Sequence, residues 1–496
     1  MIAFTAALFC IAFGSQCALA QEAVPSVVVD RRAEMLADFE AFLDILRTDY
    51  AGFETKTAGD RGNEFEKLAA EARSAIADSP SLIDAKIDAL VAWFEDQHLS
   101  VKRVSGTPAP QTSPTNGSSD FDALREQGRM IAPERVAEGL ADGQELAGEW
   151  MTVDGVYTLA LIGDPQEDGQ QIAVVRKTTS PAWAPGQVKF TLSQRVGDAW
   201  DVAYRMGDHS ERAMRLAKIG DGTMLKLYDE DVVVYLQRSG ANIEELKSRL
   251  FNPQEFSLTR LSDETLLIRL PNFFAENRPV IEAMLAEHHE ALTSTENLVI
   301  DVRYNNGGSE GSYSELMRYL YTRPIYAIGI EFLGSQRNIA GLEALLAKYR
   351  DSLDSDTVDY VEGMLAKARS DPGEWVVPLD RGFTIDTRDE VLPSPKRIGI
   401  LTEGAGSSGD QFVIDARFSS KVTTFGRPTA GVIDYSNVIE TPLPSGDFVA
   451  RWPTTRSLRL PEEPYDNIGV PPDIPFGHEV VDPIGYVQAW LERQTD

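Results

Sequence analysis

The chain has almost no cysteine. Cys10 and Cys17 are the only two in 496 residues, and both fall in the apolar N-terminal run MIAFTAALFCIAFGSQCALAQEAV. That run lacks a charged leading region but ends in Ala18-Leu19-Ala20, the small-x-small form of a signal-peptidase site. Residues 1–20 are read as a signal peptide with a mature start at Gln21, which predicts export to a periplasm or out of the cell. A membrane anchor needs a longer apolar run. Neither cysteine sits in a lipoprotein box, because Phe9 and Gln16 precede them. A mature chain without cysteine has no disulfide, no thiolate nucleophile and no cysteine–zinc site. No later stretch is long and apolar enough to span a bilayer, so no stable membrane span is expected after signal removal.

Basic charge is also in deficit: 47 Lys and Arg against 77 Asp and Glu leave a net charge of −30. Such a surface repels phosphates, which excludes nucleic acid as a partner. It bears on solubility and not on fold. Histidine is scarce too, with five in the chain, so any imidazole chemistry has few candidates. What is present is ordinary globular material, 43% hydrophobic and 25% charged. The length implies about two to four modules, and no internal repeat is visible.

From Asp30 to Leu99 apolar positions recur at helical spacing in EMLADFEAFLDILRTDY, EFEKLAAEARSAIA and SLIDAKIDALVAWFEDQHLSV, with breaks at Gly59–Gly62 and Ser79-Pro80. This predicts a helical N-terminal lobe over 30–101. Residues 102–147 read as a linker and short helix, its Ser-, Thr-, Pro- and Gly-rich part running from Val104 to Asp120. Six short apolar or alternating runs between Gly148 and Arg238, separated by Gly, Asp and Pro turns, predict an inserted antiparallel all-β module over 148–240, a small barrel or sandwich. From 241 to 480 strands alternate with helices, which indicates a sheet with helices packed on it, carrying a charged helical insertion at 341–370. A C-terminal helix lies within 481–496. The fold class is therefore mixed α+β and α/β, with several domains.

Two stretches carry chemistry. In Arg397–Phe412, RIGILTEGAGSSGDQF, a short apolar strand runs through Gly404 and Gly406 into a helix, with Ser407 at the junction. A serine there is exposed at a strand end beside the positive end of a helix, as acyl transfer requires for its oxyanion. In Asp301–Gly308, DVRYNNGG, a buried strand ends in two glycines whose N–H groups approach a ligand unobstructed. Gly307 or Gly308, with Ser408, are the candidate oxyanion donors. Asp301 and Arg303 share a face and read as a structural ion pair, and Asp410 as a helix cap or brace. A serine near neutral pH needs a base. His98, after Asp96 and before a strand, stands where function concentrates, while His288 and His289 read as solvated, His209 lies in a polar turn and His478 follows the last strand.

Asp301–Gly308, Gly404–Asp410 and the ending Asp466-Asn-Ile-Gly-Val-Pro-Pro-Asp473, in this order, resemble the C-terminal-processing, or tail-specific, serine peptidases over roughly Ser257–Phe476. The resemblance implies a crotonase-related (ClpP/crotonase-like) core and peptide-bond hydrolysis through an acyl-enzyme on Ser407, with peptide or protein substrates and neither cofactor nor metal. It also sorts the catalytic type. Where the Ser–Lys members have their lysine, in a Gly-Lys segment about twenty-five residues past the serine, this chain has Val432, and Lys421 falls before that strand. The tricorn-like type takes its base from an Asp-x-His segment, matched by Asp96-Gln-His98, and an acid shortly before Gly-Val, where Asp466 stands in place of the usual glutamate. Glu462 and Glu463 are alternatives for that acid. A PDZ-like segment is not recognisable between His98 and Asp301, and the β module fills that interval. Other readings are an inactive peptidase-like domain that binds peptides or apolar ligands, and an esterase using the same triad.

Overall fold

The computed structural model describes residues 31–104, 121, 124–141, 144–196, 199–350, 353, 355–379 and 382–494. The expected signal peptide and the Ser/Pro-rich part of the linker lie outside the described residues. Two compact units result, one of residues 1–110, 252–475 and 487–496, the other of 111–251 and 476–486.

The first unit is built on a six-stranded sheet in the order Ser257–Arg260, Thr265–Arg269, Asn297–Asp301, Arg397–Leu401, Val422–Gly426, Ile474–Pro475. Apart from the first, antiparallel pair, its strands run parallel. Parallel strands buried on both faces need continuous apolar sequence, which LLIR, NLVID and RIGIL supply. Leu266, Ile268, Leu298, Ile300, Ile398 and Ile400 form the centre of its core. On the other face, Gly399 makes room for the C-terminal helix Pro483–Glu492, since a Cβ there would lie 2.3 Å from a methyl of Val487.

The N-terminal helices Arg31–Thr48, Asp60–Asp78 and Ile83–Phe94 bury Phe39, Phe42, Leu46, Phe65, Ile76, Ile87 and Phe94 at the expected period. Their core is completed by Phe448, Ala450 and Trp452 from a strand more than three hundred residues later. That strand, Phe448–Ser457, is the spine of a second, five-stranded sheet. Its Ala450 pairs with Val101 of Ser100–Arg103 on one edge and with Thr441 of Tyr435–Pro442 on the other. The charged insertion forms two helices, Gln336–Tyr349 and Ser355–Ser370, over a small core of their own with Ile330 and Phe332.

In the second unit the strands between Gly148 and Arg238 close into an eight-stranded antiparallel barrel, sealed by pairing of Trp150–Thr152 with Leu236–Arg238. Trp150, Leu161, Phe190, Leu216 and Leu225 fill it. Lys189 lies among Trp183, Tyr157 and Tyr204, its Nζ 4.0–4.8 Å from their ring centres, and donates to the carbonyl of Arg205 at 2.6 Å. Burial pushes this ammonium down to about 7, and the rings and carbonyl offset part of that cost. No helix among the described residues is long and apolar enough to cross a membrane.

Candidate active site

Register brings the two informative stretches together. Asp301 pairs with Leu401 in adjacent parallel strands, so both chains leave the sheet side by side at its carboxyl end, where open α/β sheets bind their ligands. The two loops are in contact. Gly406 N–H donates to the Asn305 carbonyl at 2.9 Å, and the Ser408 hydroxyl donates to the Gly308 carbonyl at 3.0 Å. A Cβ built on Gly307 would lie 2.7 Å from Ser407 Cβ and 2.6 Å from the Gly406 carbonyl oxygen, so this close approach requires glycine.

Ser407 immediately precedes the buried helix Ser408–Ala416 and has φ +56° and ψ −118°. A side-chain-bearing residue held in so sparsely populated a region costs about 1–3 kcal/mol. A serine on a strained strand-to-helix turn is also how a nucleophile elbow presents its hydroxyl. Asp410 fixes the turn from below, its two oxygens accepting the N–H groups of Gly431 and Val432, each at 3.0 Å. Burial pushes that carboxyl up, and its hydrogen bonds, including those from Thr429 and Ser407, oppose the shift. Asp410 is therefore a brace.

The candidate oxyanion donors separate. Gly307 N–H is already spent on the Asn305 side-chain oxygen at 2.8 Å. Gly308 N–H and Ser408 N–H carry no hydrogen bond to another backbone group among the described residues. Asp301 is an ion-pair centre beneath the loop: Arg303 binds it through two nitrogens at 2.8 and 2.9 Å, and Arg269 Nε lies 3.3 Å away.

His98 is buried, with Nδ1 2.6 Å from the Tyr435 carbonyl oxygen. A carbonyl only accepts, so Nδ1 carries the hydrogen and the neutral ring has its basic lone pair on Nε2. Asp96 fixes the turn from outside, one oxygen accepting the His98 backbone N–H at 2.8 Å and the other the Tyr50 hydroxyl at 2.7 Å. Tyr435 lies three residues beyond Val432, whose side chain packs beside Gly406 in the nucleophile loop. Three residues reach at most about 10 Å, so one short segment joins the loop of Ser407 to the acceptor of His98. Beside His98, Val91, Asp96, Leu99 and Asn467 help line a groove of 520 Å³.

The expected acid stands elsewhere in the cluster. Asp466 Oδ1 accepts the N–H groups of Ile433 at 3.2 Å and Asp434 at 3.0 Å, and its other oxygen is 3.8 Å from Lys56 Nζ. The place beside Nδ1 that Asp466 was expected to take is held by the Tyr435 carbonyl. Glu463 accepts from the Tyr465 hydroxyl, and Glu462 is exposed. Lys421 donates to the Leu392 carbonyl at 2.6 Å. His209 stacks on Trp183 at 4.0 Å, and His288 and His289 bond to Met284 and Tyr319. Residue-type patterns gave no sign of the Tyr435 carbonyl, since it is a main-chain group. Asn305 was legible only as part of Asn-Asn-Gly-Gly.

Desolvation, then the negative charges of Asp96 and Asp434, push the Asp466 carboxyl up to about 7. Between its unfolded value near 4 and 7 the folded protein therefore holds a proton that the unfolded chain releases. Stability from this group is full below that window and falls as pH rises through it, by at most about 1.4 kcal/mol per unit. Asp466→Asn keeps an oxygen for both N–H groups and should flatten the decline between pH 5 and 7. Chemical denaturation at three pH values checks this; an unchanged slope would refute it.

A strained serine against bare glycine backbone, at the carboxyl end of a parallel sheet, marks a serine-type hydrolase. Residues 264–476 match the model of peptidase family S41, which supports a serine-type peptidase activity for this core. No curated protein matches it significantly. Similar solved structures are mature CPAF, at 14% identity over 93% of this chain and 96% of that one with a TM-score of 0.49, the photosystem II D1 C-terminal processing protease, at 14% over 91% and 95% with 0.34, and the tricorn protease, at 13% over 93% and 37% with 0.35.

Proposed function

We propose that the chain is an exported peptidase, periplasmic or secreted, whose crotonase-related core cleaves peptide bonds through an acyl-enzyme on Ser407 with His98 as base. In this reading Ser407 Oγ attacks the substrate carbonyl and passes its proton to His98 Nε2. The Tyr435 carbonyl keeps the imidazolium oriented through Nδ1–H, a role assigned to an acid in other triads, and the buried carboxylates Asp96 and Asp434 supply compensating negative charge. Gly308 and Ser408 N–H groups receive the oxyanion. His98 then returns the proton to the departing amine, and water repeats the sequence to release the acid. The groove beside His98 is the proposed seat of a substrate side chain.

The observation that carries this reading is the strained Ser407 seated against Gly307–Gly308, with two unengaged backbone donors beside it. An alkyl fluorophosphonate tests it, because only an activated serine reacts. The adduct is expected on the tryptic peptide Ile398–Arg417, and His98→Gln should slow labelling by about 10²–10⁴-fold. Labelling at another residue, or at the same rate in His98→Gln, would reject the assignment.

A further inference from the structure

One turn past Ser407, Gln411 enters a buried polar chain that the scheme above does not use. Its backbone N–H donates to the Ser407 carbonyl at 3.1 Å. Its side-chain nitrogen donates to Asp415 Oδ1 at 2.7 Å, and Asp415 Oδ2 accepts the Tyr313 hydroxyl at 2.8 Å. On the other side Gln411 Oε1 accepts from Arg459 at 3.4 Å. The Arg459 guanidinium is buried, with a second nitrogen 4.0 Å from Asp434 Oδ1 and its Nε without a hydrogen-bond partner among the described residues. Asp434 in turn accepts the N–H groups of Tyr465 and Asp466, at 2.7 and 2.8 Å, and precedes Tyr435, the acceptor of His98.

A buried guanidinium with two long contacts and an idle nitrogen is a poor stabiliser, because its desolvation is incompletely offset. Its location is what distinguishes it. It stands between the helix Ser408–Ala416 and the segment that holds His98, two elements that Asp410 also ties together through the N–H groups of Gly431 and Val432. The planar fork of arginine reaches both at once, which a lysine's single ammonium does not.

We infer that Arg459 is a positioning residue of the reaction proposed above, holding Gln411 on one side and Asp434 on the other so that Ser407 and His98 keep their mutual placement. The inference rests on that reading of Ser407 and His98. The charged or titratable groups facing Arg459 are Asp434 from the strand-joining segment, Asp415 from the nucleophile helix with Asp386 behind it, and the Tyr465 ring, 5.4 Å away. Burial already pushes Asp415 up to about 6 against the opposing pull of Arg459. Losing the cation removes that pull and raises the proton affinity of Asp415 further.

The test uses the full-length chain and an alkyl fluorophosphonate, with inactivation separated into its maximal rate and its half-saturating concentration. Arg459→Lys, Arg459→Met and Gln411→Met should each lower the maximal rate about ten- to a hundredfold while half-saturation moves less than about twofold, the mark of misplaced reacting groups. A purely structural role would lower the unfolding temperature without this split. Ser407-dependent labelling that proceeds in Arg459→Lys and Gln411→Met at the wild-type rate would overturn the role of Arg459 and leave the site reading intact. Should Arg459→Met fail to fold, Gln411→Met decides, since it keeps the cation and removes one of its two contacts. If the wild-type chain is not labelled at Ser407, the site reading fails and the inference falls with it.

Discussion

Replacing Ser407 by alanine is expected to abolish fluorophosphonate labelling and to lower peptide hydrolysis by a factor on the order of 10⁶, the scale lost when a triad serine is removed. What remains is the contribution of the backbone donors and of substrate binding. The fold should survive, because alanine inherits the same backbone and the deletion removes one small hydroxyl, a change of about 0.5 kcal/mol or less at most positions away from a packed core. Glycine separates chemistry from strain more sharply. Ser407 is held at φ +56°, ψ −118°, a conformation that glycine adopts at little cost and alanine does not. Ser407→Gly should therefore be as inactive as Ser407→Ala but more stable than it, by about 1 kcal/mol. Hydrolysis of a quenched fluorescent protein substrate and denaturant unfolding of the three chains measure both effects. Retained hydrolysis in Ser407→Ala would remove the nucleophile assignment. Equal stability of the two variants would remove the strain argument and leave the nucleophile standing.

The parts of this molecule that could be read from sequence are those fixed by local chemistry. Gly404, Gly406, Gly307 and Gly308 announced places where backbone must come close to something, and the parallel register of Asp301 with Leu401 explains why those places coincide. The alternating runs from Gly148 to Arg238 announced an antiparallel module. Its closure was not legible, because the seal pairs Trp150 with Arg238, which no local pattern encodes. The helical lobe was legible through its period, but its core partner Trp452 was not. His98 was legible mainly through the resemblance of Asp96-Gln-His98 to the tricorn-like pattern, whereas its orientation depends on a main-chain carbonyl 337 positions away. Main-chain acceptors leave no residue-type signature, and the family resemblance implies an acid in that place, where Asp466 precedes Gly469-Val470. The Gly307 donor failed for a related reason: whether a neighbouring Asn305 turns its oxygen onto that N–H is a rotamer decision settled by Leu270, whose carbonyl takes the Asn305 amide at 2.9 Å.

The largest effect on stability is expected at Asp301, which is completely buried between Arg303 and Arg269. Removing one member of a buried ion cluster costs far more than the cluster contributes, because it strands the remaining charges away from water. In Asp301→Ala two guanidiniums would face each other at the end of the central strand. Burial already works against ionisation of Arg269, and Asp301 is the group that favours it. The expected loss is about 3–5 kcal/mol, a large share of the 5–15 kcal/mol typical of a folded domain. It should appear in denaturant unfolding of the sheet-containing unit. Replacing the charges together, as Asp301→Leu with Arg303→Met, should recover part of the loss, since no charge from that pair is then stranded. The site should register the same change. Arg303 is followed directly by Tyr304 and Asn305, and Asn305 holds both the Gly406 and the Gly307 N–H groups. A loosened strand end therefore displaces the glycine backbone against which Ser407 is set, and the fraction of Asp301→Ala that remains folded should label more slowly than wild type. Wild-type stability in Asp301→Ala would show that the two arginines find water or other partners, and would end the argument that this ion cluster supports the oxyanion loop.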